Sequence, residues 1–110
     1  MSLYKSRTLF ICKTECYECK KEYNAAYVKA IYDDSLNMQN KIVSLSPNNF
    51  SDEEKKIAEE NGVIIERRSY EHQYDVDIYT VNVCPHCRAP FGNNHIKELI
   101  GKEIKEIVIK

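Results

Sequence analysis

Two short segments of the chain each hold a pair of cysteines separated by two residues. They are CYEC at residues 16–19 and CPHC at residues 84–87. In a turn of this kind the two thiolates diverge by an angle that suits neighbouring corners of a tetrahedron, and two such turns that face each other complete a four-sulfur shell. The doubled pattern therefore predicts one structural metal site. Its expected ligands are Cys16, Cys19, Cys84 and Cys87.

The two cysteine pairs are far apart along the chain. Between Cys19 and Cys84 lie 64 residues, more than the roughly 15 to 20 of the plain doubled pattern. Because the entropic cost of closing a loop grows slowly with its length, a helix and a hairpin inserted between the two halves are compatible with one site. We expect this insertion at about residues 33–72 of a single domain that spans residues 1–110.

The chain holds five cysteines, so one cysteine stands outside any four-thiolate site. Lysines and an arginine interrupt the first twenty residues, which therefore do not form a secretory signal, and the expected location is cytoplasmic. In that compartment cysteines serve as metal ligands or reduced thiols rather than disulfides. Cys12 lies within an apolar segment, and we expect it to be a packed strand thiol beside the site.

The segments around the cysteine pairs resemble the zinc-ribbon and rubredoxin-like group of four-cysteine domains, most of all in VCPHCRAPFG. The resemblance covers the two knuckles and their flanks, about a third of the chain, and implies a structural metal. Zinc and iron share this sulfur shell. Zinc is expected, since rubredoxin-like proteins are compact and this site is spread over a larger chain. Lys20 and Arg88 stand where the group usually has glycine, and a left-handed residue there costs on the order of 1 kcal/mol.

Two other cysteine patterns can also be read from these residues. Cys12 together with the first pair has the spacing of radical S-adenosylmethionine enzymes, but a barrel of that kind takes roughly 200 residues or more. CPHC is also the active-site tetrapeptide of a periplasmic thioredoxin-like oxidant, in which the first thiolate lies at a helix N-terminus. Pro90 and Gly92 follow at once here and oppose a long helix. Both patterns are disfavoured.

The rest of the chain predicts an α+β fold with an antiparallel β core, two zinc knuckles and an inserted helix, that is, a zinc-ribbon-like fold. Ser51 and Glu54 fit a capping box, and Gly62 is placed to end the helix that they begin. Strands are expected where aromatic and β-branched residues are dense. These segments are residues 7–12, 22–32, 41–45, 63–70 and 74–83.

The C-terminal region leaves two alternatives open. Asn94 is a candidate cap for a short helix that runs through Ile100. Residues 106–110, EIVIK, either extend this helix or form an edge strand.

Charge and composition leave several classes of function. The formal net charge is −1, distributed as about +3 over residues 1–29, −4 over 30–62 and 0 over 63–110. Because this layout lacks a basic stripe, it favours a protein-interaction or regulatory module, and eight tyrosines agree with contact surfaces. The alternative is a nucleic-acid-binding ribbon, and a second alternative is an iron electron carrier. Nucleic acid would be contacted through Lys20, Lys21, Arg88 and the exposed rings of Tyr17 and Tyr23.

We expect no catalysis. The sequence shows no nucleophile–base pair, carboxylate dyad or phosphate-cradling loop, and a shell of four sulfurs leaves no open position for water or substrate.

His86, inside the second knuckle, is expected to point to solvent, and His72 to be an ordinary polar residue. His95 is the reserve ligand. No apolar run approaches the roughly 18 to 20 residues of a membrane span.

Overall fold

The computed structural model describes residues 4–34, 39–71 and 73–109, which form two antiparallel sheets and one α-helix. This composition agrees with the predicted α+β class, although β structure predominates. The strands are β1 (Tyr4–Glu15), β2 (Glu22–Asp34), β3 (Gln39–Leu45), β4 (Ile64–Glu71), β5 (Val76–Val83), β6 (Pro90–Phe91) and β7 (Glu103–Ile109). Helix α1 spans Asp52–Glu60, and two 3₁₀ helices span Pro47–Asn49 and Asn93–Leu99.

The larger sheet has the strand order β3-β2-β1-β7. Its centre is the β1–β2 hairpin, paired in register from Ser6 opposite Ile31 to Glu15 opposite Glu22. The hairpin ends at the CYEC turn. The smaller sheet has the order β4-β5-β6, and only Asn82 and Val83 of β5 pair with β6. This second hairpin ends at the CPHC turn, so that each knuckle joins two paired strands.

Both faces of the β1–β2 hairpin are covered. Alternation along β1 places Leu9 and Ile11 on one face, where they pack with Ala58 of α1. It places Phe10 and Cys12 on the other face, where the core includes Leu99 of the second 3₁₀ helix. Strands that are buried on both faces lack a clear polar alternation. This explains the nearly continuous apolar stretches LFIC and AAYV.

Helix α1 begins with the predicted capping box. The Ser51 Oγ accepts a hydrogen bond from the Glu54 backbone N–H at 3.2 Å, and Glu54 Oε1 accepts one from the Ser51 N–H at 2.7 Å. The Glu54 side chain is fully buried and also binds Arg7 of β1 through two bonds of 2.7 and 2.8 Å. Gly62 ends the helix in a left-handed conformation at φ +83°. Glu54 of the capping box thus also attaches the helix to the sheet.

The C-terminal region differs in part from the expectation. Its short helix is a 3₁₀ helix that begins at Asn93, with Gly92 rather than Asn94 at the N-cap position and no side-chain cap bond. The following segment is an edge strand, since β7 pairs with β1 from Arg7 opposite Ile109 to Cys12 opposite Glu103. This pairing brings Ile107 and Ile109 against the α1-side core, a gain that a helical extension would not provide.

Candidate metal centre

The four cysteines of the two knuckles lie together, and their sulfur atoms are all within 4.8 Å of one another. The Sγ–Sγ distances across the knuckles are 3.5 Å from Cys16 to Cys87 and 3.7 Å from Cys19 to Cys84. A tetrahedral ion with metal–sulfur bonds of about 2.3 Å requires edges of about 3.8 Å, whereas a disulfide requires about 2.05 Å. The cysteines are free thiols whose spacing fits one metal ion.

The two knuckles have the same backbone hydrogen bonds. In the first, the Cys16 N–H donates to the Lys21 carbonyl and the Lys20 N–H donates to the Cys16 carbonyl, both at 2.9 Å. In the second, the Cys84 N–H donates to the Ala89 carbonyl at 2.9 Å and the Arg88 N–H to the Cys84 carbonyl at 2.8 Å. This repeated geometry presents two pairs of thiols to each other.

The residue after each second cysteine is left-handed, although neither is the glycine that the zinc-ribbon group usually has there. Lys20 has φ +65° and Arg88 has φ +67°, and they are the non-glycine residues with positive φ in the described chain. For an L-residue this conformation costs on the order of 1 kcal/mol. The fold therefore retains strain at equivalent positions of both knuckles.

Side chains outside the knuckles hold the two hairpins together. Asn82 of β5 is fully buried; its Oδ1 accepts a hydrogen bond from the Ala26 N–H, and its Nδ2 donates to the Ala26 carbonyl, both at 3.0 Å. Strand β3 pairs with β2 only from Val28 onward. The Asn82 side chain thus satisfies the backbone groups of Ala26 that β3 does not reach. At the knuckles, the His86 Nε2 lies 3.2 Å from the Glu22 carbonyl. Both contacts align the second knuckle with the first.

The four thiols differ in environment. Cys16 and Cys84 are buried, Cys19 is half-buried and Cys87 is exposed, so one corner of the group faces solvent. Burial raises the pKa of Cys16, but backbone N–H groups of Cys19 and Glu18 donate to its sulfur, and the pKa falls to about 7. The Glu18 N–H lies 3.4 Å from that sulfur. One thiolate is therefore stabilised by the turn itself.

The exposed thiol behaves in the opposite way. The Ala89 N–H lowers the pKa of Cys87, but hydrogen bonds with the three neighbouring thiols raise it to about 12. Thiolates so close together repel one another, and a divalent cation would remove this opposition to ionisation. The donor set thus fits a metal ion, and the ligand role of the four cysteines remains a prediction.

Cys12 lies outside the four-cysteine group, as expected. Its side chain is fully buried in the core that also contains Tyr27 and Leu99. Burial and the nearby Glu103 carboxylate raise the pKa of the Cys12 thiol to about 12, so it is a neutral packing residue.

His86 and His95, the histidines within the described residues, do not join the sulfur group. His86 is exposed, as expected, and its ring also contacts a backbone carbonyl. His95 is exposed and its Nδ1 lies 2.5 Å from Glu98 Oε2. The reserve ligand is thus not brought to the cysteines. His72 lies outside the described residues.

The set of residues proposed for nucleic-acid contact is only partly accessible. The expectation of an exposed Tyr23 ring is wrong, because Tyr23 is 5% exposed. It shares a face of β2 with Ala25 and Tyr27 and packs in the same core as Cys16; burial and the nearby thiols raise its pKa. Tyr17 is 60% exposed.

The cations of this set are also unequal. Arg88 Nη1 forms an ion pair with Glu66 Oε1 at 3.2 Å, whereas Lys20 and Lys21 are exposed. The Arg88 carbonyl also accepts a hydrogen bond from Arg68 at 2.8 Å. An arginine already paired with a carboxylate is a poorer phosphate ligand, since the carboxylate competes with phosphate.

Asn82 and the Arg7–Glu54 pair were missed by sequence reasoning. A polar residue between two valines in TVNVC is the signal that could have indicated a buried hydrogen-bonding asparagine. No local signal connects Arg7 to Glu54, which are 47 positions apart.

Comparisons with protein-family models, curated proteins and solved structures found no match. Among the described residues, no helix combines the length and apolar character needed to cross a membrane. The fold and the site together define a mostly antiparallel β protein with four cysteines positioned to hold a metal ion.

Proposed function

We propose that Cys16, Cys19, Cys84 and Cys87 bind one structural zinc ion and that the chain is a zinc-ribbon-like domain. The observation that carries the proposal is the group of four sulfurs within 4.8 Å of one another, presented by two equivalent knuckles. Zinc prefers tetrahedral thiolate sites of this kind. Free thiols agree with a reducing, cytoplasmic location, which is part of the proposal.

In this proposal the metal is structural rather than catalytic. All four coordination positions are taken by sulfur, so water or substrate has no open position on the ion. The ion would join the β1–β2 hairpin to the β5–β6 hairpin, in addition to the hydrogen bonds between Asn82 and Ala26. Its binding energy would therefore contribute directly to folding.

We further propose that the domain is a protein-interaction or regulatory module. Apolar side chains on and near the β4–β5 hairpin are unusually exposed: Tyr74 by 91%, Val76 by 52% and Ile78 by 54%. Exposed apolar surface is typical of protein contact sites. The nucleic-acid alternative has less support, because Tyr23 is buried and Arg88 is paired with Glu66.

Elemental analysis and the visible spectrum of the purified protein test the metal. The expected result is about one zinc per chain and no visible absorption. Iron–thiolate absorption with one iron per chain would instead support the electron-carrier alternative, whose sulfur shell is the same.

Fluorescence anisotropy with mixed-sequence labelled oligonucleotides tests the module. For a protein-interaction module we expect no binding at about 50 mM salt with micromolar protein. Binding that weakens steeply between about 50 and 200 mM salt would indicate phosphate contacts and support the nucleic-acid alternative.

A further inference from the structure

A groove of about 450 Å³ lies beside the first knuckle. One wall comes from the end of β1 and the knuckle, with Glu15 and Tyr17, and the other from β6 and the second 3₁₀ helix, with Phe91 and Glu98. Its volume is within the range of about 300 to 1,000 Å³ that is usual for ligand sites.

The groove combines aromatic walls with carboxylates. The Glu15 carboxylate makes no hydrogen bond or ion pair with any residue that the structure describes. Among the described residues, the Glu98 carboxylate has one polar partner, the Nδ1 of His95. Aromatic rings together with carboxylates form the surroundings that attract a guanidinium or ammonium group, through cation–π contact and ion pairing.

The charges of the groove also favour a cation. Among the acidic and lysine side chains that line it are two carboxylates, of Glu15 and Glu98, and one ammonium group, of Lys102. The Lys102 ammonium lies 3.5 Å from the Thr14 hydroxyl. A divalent ion held by four thiolates would add a net charge of −2 near this wall, since its ligand Cys16 lies between Glu15 and Tyr17 in the chain. An anionic ligand would meet repulsion from all of these groups except Lys102.

We infer that this groove binds a basic side chain, arginine or lysine, that a partner protein presents. This inference rests on the proposed function, because it identifies the partner of the interaction module by its charge and uses the charge of the occupied metal site. Tyr17 supplies an exposed ring, and Glu15 supplies the unpaired carboxylate. The guanidinium group fits better than ammonium, because it is planar and can both stack on a ring and bind a carboxylate.

The test is an NMR titration of the zinc-loaded, ¹⁵N-labelled 110-residue chain with three capped tripeptides at about 50 mM salt. The probes are acetyl-Gly-Arg-Gly-amide, acetyl-Gly-Lys-Gly-amide and, as the neutral isostere, acetyl-Gly-citrulline-Gly-amide. We expect the two basic peptides to produce saturable shifts at Glu15, Tyr17, Phe91 and Glu98 with dissociation constants on the order of 1 mM. The citrulline peptide should bind at least about fivefold more weakly.

Charge variants separate recognition from structural damage. Glu15→Gln should weaken binding of the arginine peptide about threefold, and Lys102→Gln should strengthen it about threefold, because the groove becomes more negative. Glu59→Gln is the matched control: it removes the same charge from α1, which packs on the other face of the β1–β2 hairpin, and should leave binding unchanged.

The outcomes distinguish this inference from the proposed function. Equal binding of the arginine and citrulline peptides, or no saturable shift at the groove in a folded protein with one zinc, would overturn the cation site while leaving the metal proposal intact. A protein that folds with no metal would refute the metal proposal independently of the titration. A gain in affinity for Lys102→Gln would support the cation site specifically, since structural damage lowers affinity.

Discussion

Lys20 and Arg88 show how single residues adapt to the two knuckles. Each donates its backbone N–H to the first cysteine of its knuckle, and each has positive φ despite a Cβ atom. Arg88 also pairs with Glu66, whereas the Lys20 side chain is exposed. Position 20 therefore isolates the backbone effect from side-chain contacts.

We predict that Lys20→Gly stabilises the zinc-loaded domain by about 0.5 kcal/mol, measured by urea denaturation. Glycine removes the cost of the left-handed conformation, roughly 1 kcal/mol, and part of this gain is offset by the greater entropy of the unfolded chain. Lys21→Gly is the control. Lys21 does not have positive φ, so glycine there should destabilise the domain. Equal effects at both positions would contradict the proposed strain.

Helix α1 is attached to the sheet by a buried carboxylate. Burial raises the pKa of Glu54, but the hydrogen bond and charge of Arg7, together with the Ser51 N–H, lower it below its ordinary value of 4.5. A group whose pKa is lower in the folded state stabilises that state above its unfolded pKa, and this stabilisation is lost as the pH falls through the folded pKa. The attachment of α1 should thus weaken in acid.

We expect Glu54→Gln to cost about 2 kcal/mol of unfolding free energy at pH 7, because the Arg7 guanidinium loses its buried charge partner. The difference from wild type should shrink below about pH 4.5, where the unfolded wild-type carboxylate begins to be protonated. Urea denaturation of both proteins at a series of pH values, from pH 7 down to the lowest pH at which both retain their metal, checks this. Glu53→Gln, at an exposed position of the same helical turn, should change stability by less than about 0.5 kcal/mol. A difference that does not depend on pH would contradict the assigned pKa direction.

Asn82 joins the β5–β6 hairpin to the β1–β2 hairpin, because its side chain forms the hydrogen bonds with Ala26 that a neighbouring strand would otherwise form. Asn82→Ala should cost about 2 to 3 kcal/mol, because it leaves the buried N–H and carbonyl of Ala26 without partners. Asn48 is the matched control, since its Oδ1 also accepts a backbone N–H bond, from Thr80 at 3.0 Å, but is exposed. Asn48→Ala should therefore cost less than about 1 kcal/mol. Thermal denaturation of both variants compares them, and equal losses would argue against a special role for Asn82.

At the scale of the whole molecule, the chain is less compact than its length allows. The radius of gyration is 14.9 Å, against about 13 Å for a compact domain of this length. The buried apolar residues divide into two clusters on opposite faces of the β1–β2 hairpin, rather than one large core. A metal that joins the hairpins should therefore supply much of the stability.

We predict that Cys84→Ser loses the metal and either unfolds the domain or lowers its melting temperature steeply, whereas Cys12→Ser retains the metal with a much smaller effect. Structural zinc can contribute about 10 kcal/mol or more, and the whole stability of a domain is usually about 5 to 15 kcal/mol. Both residues are fully buried, so the pair separates loss of a ligand from loss of packing. Elemental analysis and melting curves are the measurements.

Similar metal content and melting curves for wild type and Cys84→Ser would refute the shared site. Metal loss in Cys12→Ser would show that the ligands had been assigned to the wrong four cysteines.

Local patterns were sufficient to predict the features that depend on neighbouring residues. The knuckles, the left-handed residues after them, the capping box of α1 and most strand positions follow from hydrogen bonds and steric limits that act over a few positions. The sequence predicts that the two cysteine pairs lie together, because a tetrahedral metal site requires four thiolate donors and each pair supplies two.

Tertiary structure alone decided which side chains are buried and which distant groups meet. The alternation of residues along β2 defines its two faces. That Tyr23 is buried follows only from the tertiary structure, in which other elements pack on both of these faces. The choice of an edge strand for β7 depended on its pairing with β1, and the groove exists only because β6 lies beside the first knuckle. These features depend on contacts between residues far apart in the chain, whose energies a local pattern does not contain.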